Sequence, residues 1–114
     1  MGLRDYRWVS ESLPGKEAPM DVDCVVEKGG RFLVLEFKPE GMPLPMGQRL
    51  TLKAMVRTGY FDVWVVWEGT DGRTCQVGVM DRNGSVNFIA KLRIEQLGHK
   101  VEEWHLAASR EESR

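Results

Sequence analysis

Two charged residues close a strand that is otherwise apolar. In Phe32-Leu33-Val34-Leu35-Glu36-Phe37-Lys38, period-two alternation puts Glu36 and Lys38 on the same face as Phe32 and Val34. A charge in such surroundings costs free energy unless it meets an opposite charge or holds a cation. Upstream, Asp21-Val22-Asp23-Cys24-Val25-Val26-Glu27 reads as a second extended segment, with Lys28-Gly29-Gly30-Arg31 as the turn between the two. A two-residue Gly-Gly turn sets Lys28 opposite Arg31, which carries Asp23 opposite Glu36 and Asp21 opposite Lys38. A four-residue loop centred on the same glycines keeps that pairing, and a three-residue loop shifts it by one. Directly opposite residues share a face, with Cβ atoms about 4.5–5.5 Å apart, so three carboxylates and a lysine would converge. Facing carboxylates repel unless something positive lies between them, and a hard divalent cation with oxygen ligands is the natural occupant. A lysine beside it could orient or deprotonate a water, or stabilise charge building on a phosphate in the transition state. These are the tools of a metal-dependent phosphodiesterase. The plainer reading makes Asp21 and Asp23 solvated strand-entry residues and Glu36 and Lys38 a surface pair.

The elements that must position these groups can be traced along the chain. Residues 6–13 suit two helical turns, stopped by Pro14-Gly15. Strands are expected over 21–27 and 31–38, the second apolar enough to be buried on both faces. Pro39, Gly41, Pro43 and Pro45 make a stiff loop before a helix over 46–58, which Gly59 is placed to terminate. On that helix Gln48 shares a side with Leu52, Met55 and, more loosely, Val56; a glutamine facing the sheet needs polar partners. Arg49, Lys53 and Arg57 form a basic stripe on another side, either a solvated face or a contact for DNA phosphates. Residues 62–67 read as a buried strand and 75–80 as a half-covered one. Asn83-Gly84 marks a hairpin turn into a short strand at 86–89. Ile94, Leu97, Val101, Trp104 and Ala108 define a last helix, which Gly98 could split, with a polar tail from Ser109 expected to fray.

Composition sets the outer limits. A chain of 114 residues, 42% hydrophobic and 29% charged, suits one globular domain. No apolar run approaches the ~20 residues of a membrane-spanning helix. Sixteen Lys and Arg against seventeen Asp and Glu leave a net charge of −1, so any nucleic-acid contact has to come from a local patch. Met1-Gly2-Leu3-Arg4-Asp5 is too polar for a signal peptide. Cys24 and Cys75 lack metal-site spacing and read as reduced thiols of a cytoplasmic protein, and His99 and His105 bear no ligand spacing to them. No phosphate-binding glycine loop, Ser-His-Asp arrangement or zinc pattern is present.

Asp23 followed by Glu36-Phe37-Lys38 resembles the Asp…(Asp/Glu)-x-Lys signature of the restriction-endonuclease-like nuclease superfamily. The segment Pro39-Glu40-Gly41-Met42-Pro43-Leu44-Pro45-Met46-Gly47-Gln48 is similar to the loop and glutamine that open the next helix in its virus-type replication–repair branch and phage relatives. A buried strand follows there, as Phe61-Asp62-Val63-Trp64-Val65-Val66-Trp67 does here. The likeness spans residues 19–68. It implies an α/β fold with a mixed central sheet flanked by helices, and a metal-dependent deoxyribonuclease acting in the cytoplasm, phage-encoded ones included. By the same resemblance Asp23 and Glu36 would bind Mg²⁺ or Mn²⁺ with the Phe37 carbonyl, Lys38 would be the catalytic lysine, and Gln48 would hold the water or a ligand. The usual Pro-Asp is here Pro19-Met20-Asp21-Val22-Asp23, which leaves Asp21 or Asp23 as the ligand. The register favours Asp23. Some relatives add a glutamate from the first helix, for which Glu11 and then Glu17 are the candidates. The resemblance further implies 5′-phosphate products and leaves open a preference for branched, flap or junction DNA. A homodimer would set two sites on one substrate, with the Trp64 strand or the Trp104 helix as interface. The alternative is an inactive module of the same fold that binds DNA or a protein; loss of a ligand residue would mark it, and none is lost.

Overall fold

The computed structural model of the chain describes residues 7–15 and 19–112. The elements run α1 (Arg7–Ser12), β1 (Cys24–Lys28), β2 (Arg31–Pro39), α2 (Met46–Arg57), β3 (Phe61–Glu68), β4 (Thr74–Met80), β5 (Val86–Arg93) and α3 (Ile94–Glu112). Five strands form one sheet in the order β1-β2-β3-β4-β5. Only β2 and β3 are parallel, joined across α2, and the remaining pairs are antiparallel. Parallel neighbours need a crossover, and a helix supplies it.

The apolar runs in β2 and β3 are explained by the two cores they serve. Val34, Val63 and Val65 pack with Leu44, Leu52 and Met80 on the α2 face. Leu33, Leu35, Trp64 and Val66 pack with Cys75, Val77 and Leu97 on the α3 face. Strands buried on both sides lose the alternation that a half-exposed strand keeps. The result is an α/β protein with a mixed five-stranded sheet flanked by helices. Among the described residues no helix is long and apolar enough to cross a membrane. Cys24, half-buried, and Cys75, buried, are free thiols.

Several element boundaries differ from the sequence-based expectation. β1 begins at Cys24 rather than at residue 21, because the Asp23 side chain takes the next main-chain donor of β2. β5 runs eight residues to Arg93 instead of stopping near 89, its ladder with β4 absorbing a register shift at Val77/Gly78. α3 passes through Gly98 unbroken and reaches Glu112 instead of fraying from Ser109. Its far end is tied down: Trp104 Nε1 donates to Asp62 Oδ2 at 2.7 Å, and Arg31 bridges Asp62 and Glu111 at 3.3 Å each. Trp64 lies in the core and Trp104 is half-buried against it, so on the helix expected as an interface the exposed large apolar side chains are Ile94 and Leu106 instead.

Candidate active site

The Gly29-Gly30 turn sets the geometry of the site from a distance. Both glycines have positive φ (61° and 82°), the backbone that a two-residue hairpin turn demands. The ladder then pairs Lys28 with Arg31 and continues to Cys24 opposite Leu35, the register read from the sequence. One step beyond the last pair, Asp23 comes across from Glu36, and its Oδ2 accepts the Phe37 N–H at 2.9 Å. In a strand the N–H and C=O of one residue leave on the same edge, so the Phe37 carbonyl also faces the Asp23 side.

Glu36 is only 3% exposed, the one buried charged side chain among the described residues. Its face is that of Val34, which α2 covers. The carboxyl is pushed up to about 7, first by burial, then by the hydrogen bond and negative charge of Asp23; hydrogen bonding from Gln48 and the Lys38 charge pull it the other way. Glu36 Oε2 and Gln48 Oε1 are both buried without a hydrogen-bond partner. An unmatched buried oxygen is costly and calls for an occupant. Carboxylate and amide oxygens with no soft donor suit a hard divalent cation, so the residues present fit Mg²⁺ or Mn²⁺.

These groups open into a cleft of about 610 Å³ between the end of β2 and the first turns of α2. Asp21, Asp23, Glu36, Lys38 and Gln48 all line it. Asp21 is nevertheless outside the ladder, since β1 starts at Cys24, and so is not set across from Lys38 as expected. Among the described residues no three His, Cys, Asp or Glu side chains come together to hold an ion, so the expected convergence of three carboxylates is a pair. Glu11 is exposed on α1 and is not part of the cleft wall. Glu17 lies outside the described residues.

The basic stripe of α2 points elsewhere. The Arg49 guanidinium donates to the Gly84 carbonyl in the β4–β5 turn. The Lys53 stem covers the same glycine, where a Cβ would stand 3.1 Å from Lys53 Cδ. Neither these two nor exposed Arg57 lines the cleft. Sequence reasoning did not single out Met20, Leu50 or Thr51 as part of the site, although all three line it. Thr51, three residues from Gln48 on one helix, was within reach of a spacing argument. No family model matches the chain, and neither curated proteins nor solved structures yield a match.

Proposed function

We propose that the protein is a divalent-metal-dependent deoxyribonuclease of restriction-endonuclease-like fold, hydrolysing phosphodiester bonds in the cleft between β2 and α2. The observation that carries this reading is buried Glu36, with an unmatched carboxylate oxygen, hydrogen-bonded to the exposed Asp23 carboxyl in one cleft with Lys38. Asp23, Glu36 and the Phe37 carbonyl would hold Mg²⁺ or Mn²⁺, which supplies Lewis acidity toward the scissile phosphate. The Asp23 carboxylate is kept in place by the Phe37 N–H. Lys38, two residues along the same face from Glu36, orients the attacking water and offsets negative charge gathering on the phosphate. Gln48 braces Glu36 by hydrogen bonding and keeps its Oε1 for the water. The water oxygen bonds to phosphorus as the P–O3′ bond breaks; the water gives up a proton, the departing 3′ oxygen takes one up from solvent, and the products are a 3′-hydroxyl and a 5′-phosphate.

The test is cleavage of plasmid, flap, four-way-junction and single-stranded DNA with Mg²⁺ or Mn²⁺. The wild type is expected to cut at least one of them and to stop on chelation, with Lys38→Ala slower by roughly 10²–10⁴-fold. Undiminished cutting by Lys38→Ala would remove the catalytic assignment. No cutting of any substrate would favour a module that binds without catalysis.

A further inference from the structure

We infer that the cleft takes an unpaired, single-stranded stretch of DNA, held mainly by apolar contact with its bases and only weakly by its phosphates. This rests on the nuclease reading and names the substrate class of that same site. Pro19, Met20, Pro45 and Leu50 form the walls beside the acidic pair. Leu50 is 56% exposed at the rim and neighbouring Met46 is 68% exposed, so apolar surface continues outward from the site. Proteins that clasp a duplex line their groove with several Lys and Arg, one for each phosphate neutralised. Here, among the described residues, Lys38 is the one cation in the wall, which it shares with three carboxylates, Asp21, Asp23 and Glu36. The basic residues of α2 stay out of that wall: the Arg49 guanidinium is bonded to the Gly84 carbonyl, the Lys53 stem packs on the same glycine, and exposed Arg57 does not line the cleft. What such a wall can grip is a flat apolar face, and each unstacked base has one whatever its identity. In a duplex those faces are hidden in the stack; in a single strand they are available immediately beside the phosphate that the acidic pair and Lys38 would address.

The discriminating experiment is fluorescence anisotropy of a labelled oligo-dT strand and of the same strand annealed to its complement. Ca²⁺ replaces Mg²⁺, and strand integrity is checked on a gel. The single strand is expected to bind at least about tenfold tighter than the duplex, with a log–log salt slope near −1 rather than the several units of a multi-phosphate contact. Leu50→Ala, which removes apolar surface the bases would cover, should weaken single-strand binding by about tenfold, with circular dichroism confirming that this exposed position leaves the fold intact. Equal or tighter duplex binding, a steep salt slope, no effect of Leu50→Ala, or no binding of either form would overturn the inference. If duplex preference is accompanied by metal-dependent cutting, the nuclease reading survives and only the substrate class falls. Selective single-strand binding with no cutting in Mg²⁺ or Mn²⁺ would instead remove the nuclease reading and leave the binding inference standing.

Discussion

Burial first, then the hydrogen bond and negative charge of Asp23, keep a proton on Glu36 up to about pH 7, whereas the unfolded chain releases it near 4.5. Between those two values the folded state binds more protons than the unfolded one, so stability falls as pH rises through the window. Thermal unfolding of the metal-free protein in chelator should therefore show a midpoint that drops from pH 5 to pH 7.5. Glu36→Gln, which keeps the shape and cannot ionise, should flatten that drop. An identical pH profile in the variant would contradict the assignment of the penalty to this carboxyl. At this scale much was legible in the sequence. The Gly29-Gly30 turn determines the pairing of Asp23 with Glu36, and charges closing an apolar strand point to a carboxyl that becomes buried. Asp21 was misplaced because period-two reasoning carries a strand onward until something stops it. What stops it is a side chain: Asp23 takes the Phe37 N–H that a further β1 carbonyl would have accepted.

α2 carries Gln48, Leu50 and Thr51 into the cleft, yet its N-cap is Pro45, which offers no capping side chain. Its first turns are held by burial of Leu52 and by the Arg49 hydrogen bond to Gly84, 35 residues downstream. The β4–β5 turn is itself stiff, with Asp81 accepting from the Asn83 and Ser85 N–H groups and the Asn87 amide. Arg49→Met, which keeps the stem and removes the donor, is expected to cost about 1–2 kcal/mol in urea unfolding. Arg57→Met, at the exposed last residue of the helix, should stay within about 0.5 kcal/mol of wild type. Equal effects of the two substitutions would show that the hairpin does not anchor α2. A helical wheel placed Arg49, Lys53 and Arg57 on one side correctly but could not say what covers it, because the cover arrives from distant sequence. The same limit applies to α3. Gly98 and the polar tail argue locally for a broken, fraying helix, while Trp104, Ala108 and Glu111 answer to the sheet, Arg31 and Asp62.

For the molecule as a whole, both cores share β2 and β3, so the strand that carries Glu36 and Lys38 is also the middle of the packing. Order and pairing of the elements followed from apolar runs and turn residues, which act locally. The mixed sheet followed from one helical crossover between two fully buried strands. The composition of the cleft walls did not, since Met20 and Leu50 meet the acidic pair only after α2 folds back over the end of β2. Seating Glu36 in that shared core couples any ion bound there to global stability: a ligand at 100 times its Kd adds about 2.7 kcal/mol to unfolding. The most direct measurement is thus the thermal midpoint as Mn²⁺ is raised above pH 7.5, where the metal-free site carries its full charge penalty, for wild type, Asp23→Asn and Glu36→Gln. The wild-type midpoint should climb with Mn²⁺ concentration while both variants stay flat. A flat wild type, or a variant that climbs as steeply, would contradict the claim that these two carboxylates hold a divalent cation together.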